Sequence, residues 1–103
     1  MITIGMNYDI FPDKEQLFVT KFKDVMDILS KDEFHQSSHL YKDVYNESPS
    51  FLVVSVWETR DAFLKFIKSD IFKKVTDWGK DGILSARPRH KVYSIQELQG
   101  PAE

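Results

Sequence analysis

The chain has 103 residues and no cysteine, and its 14 basic and 16 acidic residues leave a formal net charge of −2. This length predicts one domain, and the balanced charge offers no electrostatic case for binding nucleic acid or an anionic membrane. Without cysteine, a disulfide framework, a thiolate nucleophile and a Cys-based metal site are excluded. No apolar run reaches the ~18 residues that a membrane span needs. Residues 1–11 lack the basic start of a signal peptide, so a cytoplasmic location is expected.

The chain opens with a strand followed by a helix. Residues 2–9 alternate between apolar and polar side chains, which predicts a strand with one apolar face. Asp13 followed by Gln16 resembles the capping box that begins many helices. Apolar side chains then recur at helical spacing and predict a helix over residues 14–30. Its apolar stripe comprises Phe18, Phe22, Val25, Met26 and Leu29.

A hairpin is expected next. Residues 34–45 are interpreted as a strand in which His35 and His39 share one face. Four strand residues separate these side chains by roughly 13 Å, which is too far for one metal ion. Residues 46–50 have the composition of a turn, so this strand should pair with the strand predicted over residues 51–57.

Residues 51–57 form an apolar run in which only Ser55 is polar. β-Branched and aromatic side chains in a run of this length predict a strand. One face carries Phe51, Val53, Ser55 and Trp57, and the other carries Leu52, Val54 and Val56. Both faces of this strand are therefore apolar, and both need to be covered.

Two helical segments are expected after that strand. Thr59 is a candidate N-cap, because its hydroxyl can accept a hydrogen bond from a free N–H of the first helical turn. A helix over residues 60–68 follows. Either Ser69 or Asp70 is expected to cap a further helical segment.

A last strand is predicted over residues 90–95. The domain is therefore assigned to residues 1–95, and residues 96–103 are expected to be a C-terminal tail.

The order β-α-β-β-α-β is that of the ferredoxin-like, split βαβ arrangement, an α+β fold. It predicts a four-stranded antiparallel sheet with both helices on one face. Leaving three apolar side chains of the other face in water would forgo on the order of 5–9 kcal/mol. We therefore predict a homodimer in which the bare sheet faces of two copies meet.

Two short motifs resemble the antibiotic biosynthesis monooxygenase (ABM) superfamily. Val-Trp-Glu-Thr at residues 56–59 precedes Ala62-Phe63, and Ser-Asp-Ile-Phe-Lys follows at residues 69–73. The resemblance implies a dimeric α+β barrel. The superfamily includes cofactor-independent monooxygenases of polyphenolic substrates, haem-degrading monooxygenases and proteins with no assigned reaction.

The haem-degrading branch is matched only in part. Asn7 occupies the place of the Asn that this branch carries near the end of its first strand. Phe66 stands where the branch has Trp, and Thr76 stands where it has the His that binds iron. Threonine is not a useful haem-iron ligand, so the resemblance predicts haem degradation less well than cofactor-free chemistry.

The resemblance also implies a ligand pocket between the helices and the sheet. Asn7 is the candidate catalytic residue, which would polarise the substrate. The candidate substrate-binding residues are Phe22, Trp57, Phe66 and Trp78. Each aromatic candidate has the alternative interpretation of a packed core residue, and Asn7 that of a polar residue satisfying backbone groups at a strand end.

A basic cluster at residues 87–91 contains Arg89 and His90, which are candidates for binding an anion or a substrate carboxylate. Pairing with a partner subunit or with water is the alternative. The sequence contains no paired metal motif, Gly-rich phosphate loop or nucleophile elbow.

The leading functional hypothesis is an ABM-type monooxygenase that acts on a small aromatic or phenolic substrate without a cofactor. A non-enzymatic dimer that binds a small ligand is the second hypothesis, because the sequence shows no compelling acid, base or metal set. Haem binding with altered ligation is the third.

Overall fold

The structure, a computed structural model, describes residues 1–77 and 82–94. Over these residues the secondary structure comprises β1 (Ile2–Asp9), a 3-10 turn (Pro12–Lys14), α1 (Glu15–Leu29), β2 (His35–Lys42), β3 (Ser50–Trp57), α2 (Arg60–Ile67), α3 (Asp70–Val75) and β4 (Arg89–Ser94). Trp78, the end of the predicted last strand and the predicted tail lie outside the described residues.

The four strands form one antiparallel sheet in the order β2-β3-β1-β4. This order confirms the predicted ferredoxin-like α+β fold. It also confirms the predicted hairpin of β2 and β3. The register of β1 against β3 is unbroken from Ile2 opposite Trp57 to Asp9 opposite Ser50, so side chains alternate regularly between the two faces of these central strands.

The start of α1 differs from the prediction. The chain first makes the 3-10 turn, whose N-cap is Phe11, and Pro12 occupies the first helical position. The fixed φ of proline favours that position. This early turn places Asp13 inside helical backbone rather than at the cap, and neither segment has a side-chain cap hydrogen bond. The predicted capping box is therefore wrong.

The caps of the two later helices are confirmed. Thr59 Oγ1 accepts a hydrogen bond from the Ala62 N–H at 3.1 Å, and Ser69 Oγ accepts one from the Phe72 N–H at 3.2 Å. These caps satisfy N–H groups that a helix cannot pair internally. No helix in the described part of the chain is long and apolar enough to cross a membrane.

The helices cover one face of the sheet, which we call the covered face. The core between helices and sheet consists of Ile4, Tyr8, Ile10, Phe18, Phe22, Val25, Leu29, Phe51, Val53, Trp57, Phe63 and Ile83. The opposite, free face carries Leu52, Val54 and Val56, each half-buried within the single chain. The edge strand β4 is exposed along its whole length.

A β-bulge changes the predicted facing of β2. The register against β3 shifts between His35 and Ser37, so that His35 lies opposite Trp57 and Ser37 opposite Val56. The extra residue reverses the alternation of side chains. His35 therefore lies on the covered face and His39 on the free face, and the prediction that they share a face is wrong.

Candidate aromatic-lined site

A small cavity of about 20 Å³ lies between the helices and the sheet. Its lining comes from β1, β3 and all three helices and comprises Met6, Tyr8, Phe22, Val25, Leu29, Val53, Ser55, Trp57, Phe63, Phe66, Ile67 and Phe72. The cavity has room for about one water molecule. Its lining residues are almost all apolar, so few polar groups reach the cavity.

Aromatic rings dominate the cavity. Trp57 is fully buried, and its ring meets Phe63 edge-to-face with centroids 5.8 Å apart. The ring centroid of Phe66 lies 5.2 Å from that of Trp57 and 5.0 Å from that of Phe72. Such tilted and edge-to-face contacts are the favoured arrangements of aromatic pairs, and they present π-faces to anything that enters.

A chain of hydrogen bonds leads away from the cavity along the covered face. The Trp57 Nε1–H donates to Ser55 Oγ at 2.7 Å. Ser55 Oγ and Ser38 Oγ are 2.7 Å apart, and Ser38 Oγ is 2.7 Å from His35 Nε2. We call Ser55, Ser38 and His35 the hydroxyl chain. Both serines are buried and His35 is half-buried, so this chain connects the cavity to the protein surface.

Burial lowers the pKa of His35, because the charged imidazolium loses hydration. A hydrogen bond to the backbone of Ser37 and the negative charge of Asp32 oppose this effect. The net lowering leaves the imidazole neutral at neutral pH. A neutral imidazole has one N–H donor and one acceptor nitrogen, so His35 is able to accept a proton.

Tyr8 is a second polar group on the cavity wall. Its hydroxyl donates to Met6 Sδ at 3.7 Å, and its ring lies 5.6 Å from Phe18. Burial raises the pKa of Tyr8 well above its usual range. The phenol therefore stays neutral at physiological pH and can donate a hydrogen bond but cannot act as a base.

A larger open groove of about 870 Å³ lies outside the cavity, between the α1–β2 connection and helices α2 and α3. Its apolar lining includes Ile28, Phe34, Ala62, Phe66 and Ile71, and its charged lining includes Lys31, Asp32, Glu33, Asp61 and Lys65. Phe66 lines both this groove and the inner cavity. Phe66 is therefore common to the linings of the groove and the cavity.

Three predicted substrate-binding residues, Phe22, Trp57 and Phe66, line the same cavity. Asn7 does not join them. It pairs with Leu52, while its neighbour Met6 lines the cavity, so alternation places Asn7 on the free face. Within one chain, Asn7 and Trp57 cannot share a pocket, because they belong to opposite faces of the sheet.

The predicted anion-binding pair is also divided between the two faces. Arg89 lies opposite Asn7 and His90 opposite Met6, and consecutive strand residues point to opposite faces. The Arg89 guanidinium donates to Asp9 Oδ2 at 3.2 Å. His90 instead approaches Phe63, with ring centroids 6.1 Å apart. The structure does not bring the two side chains together.

The hydroxyl chain was missed by sequence reasoning. The one available signal was Ser55, which is polar within an otherwise apolar strand. Its partners depend on the bulge in β2, which has no distinctive sequence pattern here. Across residues 1–77 and 82–94, no group of three or more His, Asp or Glu side chains is placed to hold a metal ion.

The sequence of residues 1–78 matches the family described as antibiotic biosynthesis monooxygenase. The chain belongs to this family. The ABM fold extends to solved structures of low identity. A conserved protein from Methanosarcina mazei superposes with a TM-score of 0.79 at 19% identity, covering 92% of each chain. SnoaB, a cofactor-independent oxygenase from Streptomyces nogalater, superposes with a TM-score of 0.76 at 13% identity, covering 94% of each chain.

A more similar ABM sequence occurs within a longer archaeal protein. A "Putative heme-binding protein" of Halobacterium salinarum is 35% identical over 88 residues, which is 85% of this chain and 18% of that protein. This chain therefore spans less than a fifth of that relative's length. The name describes the whole archaeal protein, of which the matching segment is a small part.

Proposed function

We propose that this ABM-family chain is a cofactor-independent monooxygenase that oxidises a small hydroxyarene bound between the helices and the sheet. The observation that carries the proposal is the aromatic-lined cavity with the Ser55 hydroxyl on its wall. The ring of Trp57 offers a stacking surface for an aromatic substrate. The Ser55 hydroxyl offers a polar contact for the substrate hydroxyl.

The proposed reaction needs no external reductant. A hydroxyarene and O₂ give a quinone and water, with one oxygen atom entering the ring and the other leaving as water. The substrate loses four electrons and O₂ gains four. The chain contributes an orienting apolar site that excludes water and a place for the substrate hydroxyl proton.

Substrate entry requires the cavity to enlarge, because about 20 Å³ cannot hold an aromatic ring. Phe66 is the side chain whose movement would join the cavity to the outer groove, since it lines both. We propose that the substrate displaces the Phe66 ring and takes its place against Trp57.

Oxygen uptake with naphthols and dihydroxynaphthalenes tests this function. We expect protein-dependent consumption of one O₂ per quinone formed, unaffected by chelators. Phe66→Ala should raise the binding rate by opening the passage, whereas Phe11→Ala, at an exposed position outside both cavities, should not. Binding of naphthols without oxygen uptake would refute the monooxygenase and favour the non-enzymatic ligand-binding dimer.

A homodimer is part of the proposal. The free face carries the half-buried side chains of Leu52 and Val54, and Tyr41 and Tyr93 remain 53% and 51% exposed. Apolar surface of this kind favours association. The catalytic role of Asn7 stays a prediction, and its position on the free face makes it a contact of the proposed interface.

Light scattering tests the dimer directly. We expect a dimer at micromolar concentration and a folded monomer for Val54→Glu, because the carboxylate would be buried unpaired in the interface. Val54→Thr, which keeps a β-branched side chain, is the matched control and should remain dimeric. A monomeric wild-type protein would contradict the dimer.

Haem is the second candidate ligand, and the name of the archaeal relative favours it. The described residues do not fit haem at the place that the family resemblance implies. Thr76 stands at the iron-ligand position, and its hydroxyl donates to the Phe72 carbonyl at 2.6 Å. His35 Nε2 is within hydrogen-bond distance of Ser38. A Soret shift with hemin that His39→Gln or His90→Gln abolishes would favour haem binding at another surface.

A further inference from the structure

The hydroxyl of Ser55, a residue that lines the cavity, has hydrogen-bonding capacity that its protein partners leave unused. A hydroxyl oxygen can accept two hydrogen bonds and donate one. Ser55 Oγ accepts one from the indole N–H of Trp57, which can only donate. Its contact with Ser38 uses the hydroxyl proton when Ser55 donates. One acceptor position then remains on the hydroxyl of a residue that lines the cavity, and a ligand that fills it must be a hydrogen-bond donor.

The remaining bonds can all run in one direction, away from the cavity. When Ser55 donates to Ser38, the Ser38 hydroxyl proton is free to donate to His35 Nε2, 2.7 Å away. In the neutral tautomer that carries its proton on Nδ1, His35 Nε2 is the acceptor. Each hydroxyl therefore donates to the next group, which is the arrangement that a proton transfer along the chain requires.

From this geometry we propose that the hydroxyl chain carries the proton of a bound hydroxyarene from Ser55 through Ser38 to His35. The inference rests on the proposed function and assigns His35 as its proton acceptor. The substrate O–H bond breaks as its proton moves to Ser55, the Ser55 proton moves to Ser38, and the Ser38 proton moves to His35 Nε2. The products are a bound arenolate and an imidazolium, and both serines end as neutral hydroxyls.

The surroundings of His35 suit an acceptor that later releases its proton. The ring is half-buried and packs edge-on against Trp57 with centroids 5.3 Å apart, so one side remains near solvent. Asp32 precedes β2 and favours the imidazolium. Glu58, next to Trp57 on β3, is exposed and accepts a hydrogen bond from Gln36. The carboxylates of Asp32 and Glu58 therefore lie at the His35 end of the hydroxyl chain, opposite the cavity.

An anaerobic titration with 2-naphthol tests the relay without depending on oxygen chemistry. The naphtholate absorbs at longer wavelength than the neutral naphthol, so its ionisation on the protein can be followed against pH. We expect bound 2-naphthol to show naphtholate absorbance at neutral pH, where free 2-naphthol shows none, because within the complex the proton moves to His35 instead of to solvent.

Two variants interrupt the relay at different points. His35→Gln keeps a hydrogen-bonding side chain beside Ser38 but cannot accept a proton, and Ser38→Ala removes the central hydroxyl. Both should return the ionisation of bound 2-naphthol to that of the free compound. His39→Gln, on the same strand but on the free face, is the matched control and should behave as wild type. Ser38→Ala keeps the test decisive should His35→Gln fail to fold.

The outcomes separate the relay from the proposed function. The relay would be overturned if 2-naphthol failed to bind. It would also be overturned if bound 2-naphthol ionised in both His35→Gln and Ser38→Ala as it does in wild type. Oxygen uptake by wild type together with that unchanged ionisation would overturn the relay alone. Relay-dependent ionisation without oxygen uptake in air would support the relay and overturn the monooxygenase.

Discussion

Both faces of the sheet include side chains of β3, but their polar side chains find different hydrogen-bonding partners. On the covered face, Trp57, Ser55 and Ser38 satisfy one another in a buried chain. On the free face, Arg89 is paired with Asp9 at the exposed rim. Buried polar groups need protein partners, whereas exposed ones can use water. The covered face is therefore built to hold a defined site, and the free face is a surface open to association.

Val53 and Val54, adjacent on β3, should show the largest difference in how much an alanine substitution lowers the free energy of unfolding. Val53→Ala should lower the free energy of unfolding by roughly 2–3 kcal/mol, because Val53 is almost fully buried under the helices. Val54→Ala, on the free face, should have a clearly smaller effect when measured by urea denaturation at a low protein concentration that would dissociate the proposed dimer. Equal losses would show that the two faces are equally buried in the single chain.

Removing the Ser55 hydroxyl, at the cavity end of the hydroxyl chain, should have the next largest effect on the free energy of unfolding. Ser55→Ala leaves the buried Trp57 N–H without its acceptor, which should lower the free energy of unfolding by about 1–3 kcal/mol. Ser37→Ala removes a hydroxyl from the free face and should be nearly neutral. Urea denaturation monitored by tryptophan fluorescence checks both variants. A neutral Ser55→Ala would mean that the indole N–H finds another partner.

The free energy of unfolding should depend on pH through His35 on the covered face. The pKa of His35 is lowered in the folded chain, so the unfolded chain binds more protons as the pH falls below about 6.5. The free energy of unfolding should therefore decrease on acidification from pH 8 to pH 5. Urea denaturation at both values should show a smaller decrease in His35→Gln than in wild type. An unchanged pH dependence in His35→Gln would contradict the assignment.

The exposed ion pair between Arg89 and Asp9 should contribute least to the free energy of unfolding. Arg89→Ala removes the contact with Asp9, in which the arginine side chain is 61% exposed. Exposed ion pairs contribute about 0–1 kcal/mol, so thermal unfolding should shift only slightly and less at high salt. Lys31→Ala, which removes the exposed pair with Asp27, is a control from another element. A loss as large as that of Ser55→Ala would show that the rim is structurally tighter than its exposure indicates.

Local signals in the sequence predicted much of the fold. The Thr59 cap followed from a hydroxyl placed just before an amphipathic segment, and of the two candidates Ser69 and Asp70 the structure has Ser69 as the second cap. The capping box at Asp13 failed, because Pro12 started a 3-10 turn earlier in the chain. For the site, the family resemblance implied Phe22, Trp57 and Phe66 as pocket residues, and all three line the cavity.

By itself, the sequence determined the order of elements, the two-faced apolar strand and the family, because these depend on residue type and spacing along the chain. Only the tertiary structure decided which polar groups meet. The bulge beside Gln36 turned His35 toward Ser38 and Ser55, and the unbroken register of β1 turned Asn7 away from Trp57. Side chains on neighbouring strands are brought together by register, and a one-residue shift moves each of them to the other face.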